Sequence, residues 1–145
     1  MPTDVFVNLP TVDLPRSKAF YEALGATIVP EFTDENAACV RWDENVFFMI
    51  LTKEFFASFT SRPVVLGSEG AQVIIALSRA SRAEVDAVRA TILEAGGGEN
   101  KEPQDHGFMY GISMTDPDGN IIEFMWMDPV AAVKGPDALA AGQDG

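Results

Sequence analysis

Asp116-Pro117-Asp118-Gly119, near the C-terminal end of a 145-residue chain, is its sharpest turn signature. Asp takes the first corner, Pro presets φ at the second, and Gly at the fourth is free to adopt positive φ. The runs Gly107 to Met114 before it and Asn120 to Met127 after it read as the two strands of a hairpin. Upstream, a third strand is predicted around Gly98 to Glu102. Before it lies a helix that opens on a Ser81/Glu84 capping box, buries Val85, Val88 and Ile92, and stops at Gly96-Gly97-Gly98. Gln72 to Ser78 supplies the strand ahead of that helix. The second half therefore reads β-α-β-β-β.

The first half repeats that order. Val5 to Leu9 alternates as a strand, and Asp13 caps a helix with Pro15 in its first turn. Ala19, Phe20, Ala23 and Leu24 are expected to share one face of the helix, which ends at Gly25. Strands follow at Thr27 to Val29, Ala37 to Trp42 and Val46 to Leu51, the last two joined by Asp43-Glu44-Asn45. The expectation is one α+β domain over residues 1–128, with modules at about 4–52 and 71–128 and a connection over 53–70. In that connection Phe55, Phe56 and Phe59 are expected to pin a short helix to the core, and 129–145 to form a loose tail. Two such modules side by side make a cupped mixed sheet whose concave face is the natural pocket.

Composition bounds the function. With 47% apolar and 22% charged residues the chain has ample material for a core. One cysteine, Cys39, excludes a disulfide framework and any CxxC site, and it reads as a small core residue. No signal-peptide pattern or membrane-length apolar run occurs, which predicts a soluble, cytoplasmic protein. Ten Lys and Arg against 22 Asp and Glu give a net charge of −12, which disfavours nucleic acid and anionic membranes as partners. There is no phosphate-binding Gly-rich loop ahead of a helix and no GxSxG elbow.

The first strand, Asp13, Arg16-Ser17, Phe20-Tyr21 and Gly25 resemble the N-terminal signature of the vicinal oxygen chelate superfamily. Asp116-Pro117-Asp118-Gly119 with Glu123 resembles its C-terminal signature. That superfamily includes glyoxalase, bleomycin and fosfomycin resistance proteins and extradiol dioxygenases. The resemblance spans about residues 4–128 and implies paired βαβββ modules, a homodimer and, in catalytic members, a divalent metal inside the cup. It places the first metal ligand seven residues before Asp13, where this chain has Phe6, and the second at Ile74, or at Gln72 if the register slips by two. A third falls at Ile50 or a neighbour, and the fourth is Glu123. One carboxylate without imidazole does not make the three-ligand site a catalytic divalent ion needs, so no metal cofactor is expected.

Alternation places Ile121, Glu123 and Met125 on the cup face with Phe6, Asn8, Ile50, Gln72 and Ile74, while Ile122, Phe124 and Trp126 point away. A carboxylate there must find Arg41, Asn8 or Gln72, or be held protonated. His106, the only histidine, is either an exposed loop residue or a proton carrier closing over the cup mouth. Tyr110 either packs or directs its hydroxyl inward, and Arg41 with Trp42 either grips a planar anion or forms a surface pair with Asp43. The expected function is binding of a small organic ligand in a largely apolar cup without metal, with Glu123 and His106 as any acid–base groups. Two alternatives stand beside it. One is a lyase, isomerase or dioxygenase with a noncanonical metal site on Glu123; the other is sequestration of a cationic drug, as in bleomycin resistance.

Overall fold

The computed structural model describes residues 2–137. The first unit comprises β1 (Val5–Thr11), α1 (Leu14–Ala23), β2 (Thr27–Ile28), β3 (Ala37–Asp43) and β4 (Val46–Thr52), and α2 (Lys53–Ala57) follows it. The second comprises β5 (Ile74–Ser78), α3 (Arg82–Glu94), β6 (Gly98–Asp105), β7 (Met109–Thr115) and β8 (Ile121–Met127), with α4 (Pro129–Lys134) after it. Each unit forms a four-stranded mixed sheet, β1-β4-β3-β2 and β5-β8-β7-β6. Its first and last strands run parallel and its other pairs antiparallel. The α+β class and the repeated order are as the sequence predicts.

Local chemistry sets these elements. The Asp13 carboxylate accepts the Arg16 N–H at 3.1 Å and opens α1. At α3 the Ser81 hydroxyl accepts from the Glu84 N–H, and the Glu84 carboxylate reaches back to the Ala80 N–H at 2.8 Å. α1 and α3 each cover one face of their own sheet, and these helical sides meet. Phe20, Tyr21, Phe48 and Ile50 from the first unit share one core with Val85, Ile92, Ile112 and Phe124 from the second. Each such buried side chain contributes about 2 kcal/mol. Across the junction the Trp42 and Phe124 rings lie 5.9 Å apart, and the Arg79 guanidinium sits over Phe124 at 4.6 Å.

The Asp116–Gly119 turn lies at this junction with both aspartates buried. The Gly119 N–H donates to the Asp116 carbonyl at 3.0 Å, and Gly119 takes φ +90°, which Gly adopts without strain. The Asp118 carboxylate accepts from the hydroxyls of Thr11 at 2.6 Å and Ser17 at 3.0 Å, from the Val12 N–H at 2.9 Å, and from Arg16 Nη2 at 3.0 Å. The Asp116 carboxylate accepts from the Tyr21 hydroxyl at 2.7 Å and from Asn120 Nδ2 and N–H at 2.9 Å. Burial raises the Asp116 pKa against the pull of the Asn120 and Tyr21 hydrogen bonds. Burial, and then the charge of Asp116, push the Tyr21 phenol well above its usual value. The two signatures thus form one clasp between the units.

Five expectations change. α1 turns Ala19 and Ala23 to solvent and buries Leu14, Ser17, Phe20 and Tyr21, so the expected face is rotated. β5 begins at Ile74, leaving Gln72 outside the strand, and β6 runs on to Asp105. β6 is an edge strand that carries charges, Pro103 and register shifts, devices that keep an edge from pairing with another chain but hide its β pattern. Phe59 is 69% exposed and stacks edge-on against Phe55 instead of entering the core. Residues 129–134, expected within a loose tail, form a helix that the Asp128 side chain caps and that buries Ala131; the tail from 138 onward lies outside the described residues. No helix among the described residues is long and apolar enough to cross a membrane.

Candidate functional site

With the helices on one side, the other face of each sheet is available to a ligand. On β8, Ile122 and Phe124 point into the core, which turns Ile121, Glu123 and Met125 to the open face. Glu123, Met125 and Ile74 line a cavity of about 270 Å³ with Asn100, Lys101 and Ser113. Ser113 lies opposite Glu123 in the β7–β8 register, and its Oγ accepts from Asn100 Nδ2 at 3.0 Å, so its own proton is available to a ligand. Glu123 is partly buried and has no hydrogen-bond or ion-pair partner among the described residues. A carboxylate so placed is an acceptor held ready for a donor group. Every residue lining this cavity belongs to the second unit.

The corresponding face of the first unit carries Phe6, Phe47 and Met49 with Asn8 and Arg41, and no carboxylate opposite Met49 on β1 or β3. Phe48 and Ile50 enter the core as Ile122 and Phe124 do, so Met49 is the first-unit counterpart of Glu123. The position expected at Ile50 or a neighbour is therefore Met49, because the pleat buries Ile50. Phe6, 52% exposed, stacks on its strand partner Phe47 at 4.7 Å. Phe6, Met49, Ile74 and Glu123 offer one carboxylate and a thioether where a divalent ion needs imidazoles and carboxylates, and this donor set does not fit one. Among the described residues, no three His, Cys, Asp or Glu side chains are grouped to hold a metal ion.

The other predicted site residues divide. Ile74 and Met125 join Glu123, while Asn8 and Gln72 line a second cavity of about 400 Å³ and Phe6 lines neither. The single cup expected within one chain is thus two separate faces. Arg41 is exposed on the Phe47 side, its Nε donating to the Asp43 carbonyl at 3.3 Å, whereas Trp42 packs in the core beside Phe48. Neighbours on a strand face opposite ways, so these two cannot grip one ligand. Tyr110 faces α3, where its hydroxyl donates to Asp86 at 2.5 Å, not the cavity. His106 is exposed and stacks near Phe108 at 6.1 Å; it lines neither cavity and is not brought to Glu123. Beside it the Arg82 guanidinium, then the Gly107 N–H, hold Asp105 down to a pKa of about 2. Cys39 is buried, which raises its thiol pKa.

Sequence reasoning missed Ser113, Asn100 and Lys101. Ser113 could have been found by its alternation with Ile112 and Met114; the other two lie on an irregular polar strand that carries no such signal.

A family profile described as bleomycin resistance protein-like N-terminal matches residues 3–42. Among curated proteins no sequence matches the chain. Solved structures do. A glyoxalase-related enzyme from Fulvimarina pelagi superposes with a TM-score of 0.75 at 20% identity, covering 90% of this chain and 91% of that one. A hypothetical protein from S. aureus gives 0.74 at 25% identity, with 87% and 94% covered. A glyoxalase/bleomycin resistance protein from Albidiferax ferrireducens T118 gives 0.62 at 25% identity, with 83% and 95% covered.

Proposed function

The chain carries the fold of the vicinal oxygen chelate superfamily, and from that premise we propose that it binds a small organic ligand against Glu123 without a metal ion. The observation behind this reading is the half-buried Glu123 carboxylate. It faces a cavity of about 270 Å³ with no partner of its own among the described residues, and its neighbours Ile74, Ser113 and Met125 supply neither imidazole nor a second carboxylate beside it. The ligand presents a hydrogen-bond donor to Glu123 and accepts from Ser113. Its apolar part lies along Ile74 and Met125, and excluding water there strengthens the polar contacts.

The site is completed by a second copy of the chain. The stacked Phe6–Phe47 pair and Ile74, 55% exposed, are apolar surfaces on open sheet faces that a homodimer would cover. A cationic ligand is a second reading, favoured by the unpaired carboxylate and the net charge of −12.

A thermal-shift screen of amines, amides and neutral hydroxyl compounds against wild type and Glu123→Gln tests the reading. A stabilising ligand whose effect is lost in the variant is expected. Stabilisation that survives the substitution unchanged contradicts it. For the cationic reading, the shift shrinks as salt is raised.

A further inference from the structure

The second cavity lies where the connection passes over the tip of the β7–β8 hairpin. Its volume of about 400 Å³ falls within the range of small-molecule pockets. Its apolar walls include Phe56 of α2, Val65 and Val73 of the connection, and Ile121 of β8. Val65 and Val73 are 60% and 52% exposed, so the cavity presents apolar surface that nothing among the described residues covers. Asn8 and Gln72 add amides at its rim.

The walls are fixed rather than adjustable. A Cβ on Gly67 would stand 2.3 Å from the Gly119 carbonyl carbon, so the connection and the clasped turn are in direct backbone contact. The Glu69 carboxylate accepts the Leu66 N–H at 2.9 Å and closes the neighbouring bend. α2 is capped by the Thr52 hydroxyl, which accepts the Phe55 N–H at 3.2 Å.

One lining residue is charged, and it is a cation. Arg62 is exposed, and its guanidinium has no hydrogen-bond or ion-pair partner among the described residues. Acidic side chains outnumber basic ones by 22 to 10 in the chain, yet none lines this cavity. The Glu123 cavity, by contrast, carries Glu102 and Glu123 with Lys101. A guanidinium at the mouth of an apolar cavity matches a carboxylate attached to an apolar body, since two parallel N–H groups fit the two oxygens.

We propose that this cavity is a binding site for small monocarboxylates with an apolar chain or ring, the carboxylate held by Arg62 and the body lying between Phe56, Val73 and Ile121. The site is separate from the Glu123 cavity and does not depend on what occupies that one.

The test is calorimetric titration of the full chain with octanoate, with octylamine and octan-1-ol as controls matched in apolar body. Octanoate is expected to bind in the millimolar range or tighter, at least tenfold better than octylamine. Arg62→Gln is expected to weaken octanoate about tenfold while leaving octan-1-ol unaffected, and Arg62→Lys to recover part of the loss. Arg62 is exposed, so these variants fold; Val73→Trp, which fills the cavity, should abolish binding of octanoate and octan-1-ol alike. Absence of octanoate binding, equal binding of octanoate and octylamine, or unchanged affinity in Arg62→Gln would overturn the proposal. So would loss of binding in Glu123→Gln, because that result moves the ligand to the other cavity.

Discussion

The two units share an element order, yet their last hairpins lead opposite lives. In the first, Asp43 and Glu44 are exposed and Asn45 partly so, and the turn's side-chain contacts stay within its own unit, Asn45 Nδ2 donating to Asp4 at 2.6 Å. In the second, Asp116 and Asp118 are buried and gather donors from β1 and α1, some 100 residues away in the chain. Their open faces differ in the same sense: Phe6, Phe47 and Met49 against Glu123 and Ser113. The repeated architecture is thus asymmetric in chemistry, with the second unit carrying both the polar clasp and the polar pocket. What the motif residues hold together is the junction of the units; of the C-terminal signature, Glu123 faces the polar pocket, and Gly119 lines the second cavity.

Breaking the clasp should separate the two hairpins most clearly. Asp118→Ala strands the buried hydroxyls of Thr11 and Ser17, frees the Val12 N–H and Arg16, and should cost about 3 kcal/mol in chemical denaturation. Asp43→Ala at the equivalent exposed turn should stay within about 0.5 kcal/mol. Similar losses in the two variants would erase the distinction.

A second contrast concerns the two faces. Once a ligand is in hand, Glu123→Gln should weaken it about tenfold, roughly 1.4 kcal/mol, whereas Met49→Leu on the first-unit face of the same chain should change affinity by less than about twofold. A larger loss from Met49→Leu would shift the site to the other unit.

At the junction, Arg79→Ala removes a guanidinium from the faces of Phe124 and Trp42 and should cost about 1 kcal/mol by thermal melting. Burial lowers the Arg79 pKa, but it stays charged at neutral pH, so a loss that varies between pH 6 and 8 would point to another group.

The smallest effect is a pH dependence with a defined sign. Asp105 has its folded pKa lowered to about 2 from 3.8, so its contribution to stability is present above about 4 and is lost as pH falls toward 2. The gap in melting temperature between wild type and Asp105→Asn should therefore close across that window. Asp116 is shifted the other way, so carboxyl NMR should show it titrating above Asp105; the reverse order would contradict the placement of both.

Much of the fold was legible because helix caps and turns are local chemistry. Asp13, Ser81 and the Asp116–Gly119 turn each announce their element within a few residues, and the alternation of β8 placed Glu123 on the open face with its neighbours correctly sorted. Legibility failed where the deciding contact is long-range. Nothing local says that two aspartates in a turn are buried, since their partners Thr11, Ser17 and Tyr21 lie about 100 residues earlier. Ile50 and Met49 differ by one step of a pleat whose strand is apolar on both sides, so periodicity could not choose between them. Two halves side by side suggest one cup holding Asn8 and Gln72 with Glu123, whereas here the helical sides meet and Asn8 and Gln72 line a different cavity.

Elemental analysis of protein purified without chelator bears most directly on the binding chemistry assigned to Glu123. With no imidazole in its cavity and with Ile74, Ser113 and Met125 among its neighbours, Glu123 should leave zinc, nickel, manganese and iron each far below stoichiometric after exhaustive desalting. About one ion per chain, lost on Glu123→Gln, would contradict it.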